Sequence, residues 1–94
     1  MIVFQGKDSC KVSIVGDNLE IKALVSGEVC ELSEIDAYSI YAIGGELMIV
    51  TIFTEVQGNE DPHIVLFDDI DTAVALYTVL LEHNPALDVT VRNT

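Results

Sequence analysis

Basic residues are scarce in this chain: four lysines and arginines stand against sixteen aspartates and glutamates in 94 residues, for a formal net charge of −12. A field of that sign repels nucleic acid, anionic lipid and phosphorylated substrates, and it attracts basic surfaces on other macromolecules. Tryptophan is absent and tyrosine is limited to three residues, so a saccharide site has little aromatic surface to build on. The two cysteines, Cys10 and Cys30, have no second pair and no histidine at metal-ligand spacing, which argues against a zinc site or a disulfide framework and for free thiols in a reducing compartment. The longest apolar run, Leu47 to Phe53, is broken by Thr51 and is too short to span a bilayer. Met1–Gly6 shows neither a charged n-region nor a long apolar h-region, so a cytoplasmic location is expected, in the host cytoplasm if the gene is viral.

Catalytic signatures are missing as well. The chain holds no G-x-S-x-G, no H-E-x-x-H, no Walker loop and no dinucleotide fingerprint. His63 and His83 have no serine or cysteine at a recognisable spacing, so each is expected at the surface or as a cap. The acidic run Asp68, Asp69, Asp71 lacks the alternation and central glycine of a calcium loop, and a helix N-cap accounts for it better. No cofactor and no metal are expected, and the chain is read as non-catalytic.

What is present is a core. Half of the residues are apolar and mean hydropathy is +0.43, so the charge, which leaves no third of the chain neutral, belongs to a folded domain and not to a disordered acidic tail. The length suits a single domain over residues 1–94. A domain of this size buries roughly 60 to 65% of its unfolded surface, with little margin for like-charge repulsion.

Period-two alternation dominates the first two thirds. Cys10 to Gly16 places Cys10, Val12 and Ile14 on one face, and Leu19 to Val25 places Leu19, Ile21, Ala23 and Val25 opposite Glu20 and Lys22. Gly16-Asp17-Asn18 between them predicts a hairpin turn. Ser26-Gly27 predicts a second turn before Glu28–Leu32, and Gly44-Gly45 a third between strands over Ala37–Ile43 and Glu46–Val56. The last of these is apolar on both faces, so it must lie centrally, covered on one side by the helix or a second layer and on the other by a neighbour or a partner chain. Gln57–Pro62 reads as a polar loop, and His63–Phe67 as a short strand.

A helix is predicted from the Asp68-Asp69-Ile70-Asp71 start to about His83, stopped by Asn84-Pro85 and followed by a short strand over Leu87–Arg92. Ile70, Ala73, Val74, Tyr77, Leu80 and Leu81 form the stripe expected to pack on the sheet. Thr72, Leu76, Val79 and His83 form a second, uncharged stripe roughly opposite the first; either the C-terminal strand or a loop covers it, or Leu76 and Val79 contact a partner or a second copy as a homodimer, the reading taken as the expectation.

About seven short strands, with turns at Gly16-Asp17-Asn18, Ser26-Gly27 and Gly44-Gly45, precede one helix entered through Ile64-Val65-Leu66-Phe67-Asp68-Asp69. That order resembles the pleckstrin-homology-like barrel superfold over most of the chain. The resemblance implies an α+β protein, mostly antiparallel, in which a barrel or strongly bent sheet carries one C-terminal helix; the short final strand expected over Leu87–Arg92 extends past the family's usual closing helix and leaves a sheet-plus-helix α+β fold as the alternative. Phosphoinositide-binding members place several basic residues in the first inter-strand loop; Gly6-Lys7-Asp8-Ser9-Cys10-Lys11 has two lysines and an aspartate, so the lipid function does not carry over. Two functions remain. In one, the chain binds and inhibits a basic, nucleic-acid-binding protein, its carboxylates standing in for phosphates, as small acidic phage counter-defence proteins of the anti-CRISPR and anti-restriction kind do. Glu28, Glu31, Asp68, Asp69 and Asp71 are the candidate contacts. In the other it is a PH-like adaptor or assembly subunit that uses a sheet edge or the second helix stripe. Solubility or adaptation to high salt is the functionless account of the charge.

Overall fold

A computed structural model describes residues 1–24 and 27–93. The first sheet is a meander, β1 (Ile2–Gln5), β2 (Lys11–Val15), β3 (Asn18–Lys22) and β4 (Gly27–Glu31), in that spatial order. A 3₁₀ turn, η1 (Leu32–Glu34), leads into the second sheet, β5 (Ile35–Ile43), β6 (Leu47–Val56) and β7 (Asn59–Phe67). The helix α1 (Ile70–His83) then returns the chain so that β8 (Asp88–Asn93) joins β5 in parallel, giving the order β7-β6-β5-β8. The fold is thus α+β with eight strands among the described residues, and the helix is followed by a six-residue strand and is not the C-terminal element. The expected Ser26-Gly27 turn and the end of the Leu19–Val25 strand fall on Val25 and Ser26, outside the described residues; β3 ends at Lys22.

Alternation places Val12, Ile14, Leu19 and Ile21 of the first sheet against Tyr38, Ile40, Val50, Ile52 and Val65 of the second, all buried. The sheets are stitched at one corner, where the amides of Lys7 and Leu24 donate to the carbonyls of Leu66 and Ile64 on β7. Gly6 lies so close to that corner that a β-carbon there would run into the Leu66 carbonyl, a backbone atom with nowhere to move.

Asp69 caps the helix, its carboxylate accepting from the Thr72 amide at 3.0 Å. Asn84 ends it, its amide donating to the Leu80 carbonyl and its side chain to the Ile35 carbonyl at the start of β5. The two expected stripes are the two flanks of one wide buried arc. Ala73, Leu76 and Leu80 are fully buried at its centre, while Val74, Tyr77, Leu81 and Val79 are half-buried against the core on either side. Leu76 is therefore a core residue and not an outward contact, and Val79 packs half-buried against the core. The helix sits on the inner face of the second sheet, where the Tyr38 hydroxyl donates to the Ala73 carbonyl at 2.8 Å, and it also meets η1, so more than one stripe must be apolar. Its solvent side is the narrow strip Asp71, Ala75, Thr78 and Glu82.

The predicted loop Gln57–Pro62 is a two-residue turn. Val56 pairs with Asn59, and Gln57 and Gly58 both have positive φ, 53° and 82°, as the tightest hairpin turns require. β7 consequently begins at Asn59, and its register turns His63 inward, where it is 5% exposed; it is not a surface residue. β6 is central, as its two apolar faces demand. Its inner face is buried, but Leu47, Ile49 and Phe53 on the outer face are only half-buried, and no described element lies over them.

Candidate functional site

The Gln57-Gly58 turn fixes a cross-strand pair of like charge, Glu55 opposite Glu60. β5 pairs with β6 alongside, and an irregularity in register between Ile35 and Ala37 leaves Asp36 exposed at the same end of the sheet. The three carboxylates meet there: a hydrogen bond with Asp36, aided by the charges of Asp36 and Glu55, raises the Glu60 carboxyl above its ordinary range. Directly opposed like charges destabilise a sheet. Among the described residues the Lys7–Asp68 ion pair, at 4.0 Å, and the contact of the His63 ring with Glu28, at 3.6 Å, lie elsewhere.

The acidic residues singled out in the sequence lie on separate elements. Glu28 is on β4, registered opposite the buried Ile21, with its carboxylate against His63 Nδ1. Glu31 is tied into the entry of η1: its amide donates to Glu34 Oε1 at 2.8 Å and its carboxylate accepts from the Ser33 hydroxyl. Asp68 sits beside Lys7, Asp69 is the helix cap, its carboxyl held below the usual range by the Thr72 hydroxyl and amide, and Asp71 lies exposed in the first turn. Sequence reasoning missed Asp36, Glu55 and Glu60. The available signal was Gln-Gly as a hairpin turn, which makes residues two positions to either side partners.

One polar constellation crosses the interior. The Thr54 hydroxyl lies 3.0 Å from His63 Nε2, and Nδ1 of the same ring faces Glu28. The order hydroxyl, imidazole, carboxylate is that of a nucleophilic triad, but Thr54 and His63 are 4% and 5% exposed, so the hydroxyl is shut away from substrate and the set serves to link the two sheets. Cys30, half-buried near Glu34 and Glu28, has its thiol pushed up to about 11 by burial first and those carboxylates second. Cys10 is fully buried.

The outer face of the second sheet ends at the Glu55–Glu60 pair and is flanked on β8 by Asp88 and Arg92, but its middle differs. Its rows, Ile43–Leu47, Tyr41–Ile49, Ser39–Thr51–Ile64 and Ala37–Phe53, carry no charge. Tyr41 and Ile64 are 42% and 44% exposed. A shallow groove along the face is lined by Ser39, Tyr41, Ile49, Thr51, Phe53 and, from β8, Arg92.

No group of three histidine, cysteine, aspartate or glutamate residues placed to hold a metal ion occurs among the described residues, and no described helix is long and apolar enough to cross a membrane. No protein-family model, curated protein or solved structure matches the chain.

Proposed function

We propose that this chain is a non-catalytic binding protein that engages a basic, nucleic-acid-binding protein and competes with that protein's nucleic acid. The observation that carries this reading is the carboxylate group Asp36, Glu55 and Glu60, held on paired strands and pressed together closely enough to shift Glu60. Such a group opposes folding in isolation, and a basic groove would relieve it as counterions relieve a phosphate backbone. With a net charge of −12 the whole surface steers toward such a partner. Small size and high acidity are also traits of phage counter-defence proteins. A PH-like barrel is the finer fold reading: two antiparallel meanders followed by a helix support it, and β8 beside β5 departs from it. No cofactor, membrane or direct nucleic-acid contact enters the reading.

The test is displacement. Basic DNA-binding proteins captured on the chain from a cell extract are loaded with fluorescein-labelled duplex DNA and titrated with the chain. Anisotropy should fall, the effect should weaken steeply between low and moderate salt, and the variant Asp36→Asn, Glu55→Gln, Glu60→Gln should lose most of it. A captured protein that holds the chain and its DNA together, without mutual displacement, overturns mimicry. The second reading, an adaptor or assembly subunit, is favoured by one observation, the uncharged rows of β5 and β6 on the outer face of the second sheet, from Ile43–Leu47 to Ala37–Phe53.

A further inference from the structure

We infer that β8 pairs antiparallel with β8 of a second copy of this chain, about a two-fold axis at Thr90, and so joins two β7-β6-β5-β8 sheets edge to edge. The inference goes beyond competition for nucleic acid and does not rest on it. A sheet edge left open presents unpaired N–H and C=O groups, a template for another strand. β8 is such an edge: it takes β5 on one side, and no described strand lies on the other. The remaining edges carry features that oppose pairing. β7 holds Pro62 and already gives its Ile64 and Leu66 carbonyls to the amides of Leu24 and Lys7. β4 carries Glu28 and Glu31 with no basic side chain, and β1 is only four residues long. β8 has no proline and one charge of each sign.

The sequence of β8 is self-complementary in one register. A two-fold axis perpendicular to the sheet at Thr90 sets Thr90 opposite Thr90, Val89 opposite the second copy's Val91, and Asp88 opposite the second copy's Arg92, each contact repeated by symmetry. Antiparallel partners share a face, so the opposite charges meet as cross-strand pairs on the outer face. In the parallel pairing with β5, every second residue of β8 turns its backbone groups outward, and this register sets outward residues opposite outward residues. On the inner face Val91, 48% exposed beside the buried Ile40, comes against the second copy's Val89, which packs half-buried on its own core. The seam thus continues the apolar inner layer from one chain into the next.

Charge favours the same arrangement. Asp36 adjoins Ala37, the β5 partner of Asp88, so the axis brings the second copy's Arg92 within two strands of Asp36, about 10 Å. The Glu55–Glu60 ends of the two copies point in opposite directions, with their Glu55 residues roughly 35 Å apart from strand and residue spacings. Among the sheet residues the like charges brought nearest are the two Asp88 side chains, about 14 Å apart with an Arg92 beside each, and Glu46 of one copy with Asp36 of the other, roughly 18 Å apart. These separations exceed the screening length of about 8 Å at physiological salt. A six-residue edge at about 3.3 Å per residue and about 10 Å thick buries on the order of 400 Å² in the pair, below the roughly 1,200 Å² of standard interfaces. The dimer is accordingly weak and concentration-dependent.

Sedimentation equilibrium of the full chain, from micromolar to near-millimolar in 0.15 M NaCl, should show mass rising from monomer toward dimer. Asp88→Arg and Arg92→Asp, each alone, set like charges face to face and should weaken association several-fold with circular dichroism unchanged. Mixed one to one, the two variants place opposite charges at both contacts and carry together the net charge of two wild-type chains, so the mixture should associate as well as wild type. Asp88 and Arg92 are four residues apart on one strand, about 13 Å, so they cannot pair within a copy, and rescue in the mixture reports a contact between copies. Thr90→Cys should form a disulfide-linked dimer under mild oxidation, since directly opposed Cα atoms lie about 4.5 to 5.5 Å apart, whereas Val91→Cys, whose opposite residue is Val89, should not. The wild-type chain, with Cys10 buried and Cys30 half-buried, is the control, and the cross-link decides if a charge variant does not fold. A wild-type chain monomeric at every concentration, a mixture that associates no better than its components, or Thr90→Cys linking no more readily than Val91→Cys overturns the inference, whatever the displacement assay returns.

Discussion

The Thr54 hydroxyl and His63 Nε2 meet at 3.0 Å inside the sandwich, one from β6 and one from β7, in a pair that is almost wholly buried. Glu28 reaches the other ring nitrogen from β4, so the imidazole joins the second sheet to the edge strand of the first. A carboxylate facing Nδ1 favours the tautomer with its proton there, and Nε2 is then the acceptor of the Thr54 hydroxyl proton. No buried side-chain nitrogen or oxygen among the described residues lacks a partner.

Thr54→Val keeps the shape and deletes the donor, leaving a buried ring nitrogen unpaired. The expected loss is about 1–3 kcal/mol, and a change of this kind lowers Tm by about 4–8 °C per kcal/mol in a domain of this size. Thr54→Ser should recover most of it. Thermal melts of the three proteins decide the matter; equal Tm for Thr54→Val and wild type would mean that the bond contributes nothing.

Leu76 is fully buried at the centre of the helix arc, between Ala73 and Leu80. Leu76→Ala should cost about 2–5 kcal/mol in a urea titration, the range for a leucine truncated in a packed core. The pair Leu76→Glu, Val79→Glu should abolish the cooperative transition, because it puts a carboxylate where no water reaches. A folded double variant with altered association would restore the outward stripe.

Local chemistry made part of this fold legible in advance and left the rest dark. Asp69 before an apolar run announces a helix, and Asn84-Pro85 announces its end, because capping depends on neighbours in sequence. Gly16-Asp17 between alternating segments announces the β2–β3 hairpin for the same reason. The burial of Leu76 depends on how many layers the helix touches, which no helical period encodes. The parallel pairing of β8 with β5 joins segments fifty residues apart through backbone groups that every residue shares. The acidic end hinged on a two-residue turn at Gln57-Gly58: read as a loop, the stretch hides both the Glu55–Glu60 pairing and the inward turn of His63.

Neither cysteine should be readily alkylated in the native state. Cys10 is sealed in the core, and the Cys30 thiol, raised to about 11, holds little thiolate at pH 8. Iodoacetamide at pH 8 should modify both at least tenfold more slowly than in 6 M guanidinium, by mass spectrometry. A Cys30 that reacts as fast in the native protein would show that β4 opens freely.

The acidic end should make stability depend on pH with a definite sign. Glu60 holds its proton to a higher pH in the folded chain than in the unfolded one, because Asp36 shares a hydrogen bond with it and Asp36 and Glu55 repel its charge. Wherever the folded state binds more protons, stability falls as pH rises. The penalty therefore grows from the ordinary carboxylate range, about pH 4, up through the raised value, and is complete at neutral pH. Glu60→Gln removes the charge and keeps a donor toward Asp36. It should raise Tm at pH 7, with the gain shrinking toward about pH 4, where the wild-type side chain is itself largely protonated, and shrinking also at high salt, which screens exposed charges. Melts of both proteins across that pH range at low and high NaCl measure the difference, and a Glu60→Gln protein with equal or lower Tm at pH 7 would show that the three carboxylates do not strain the fold.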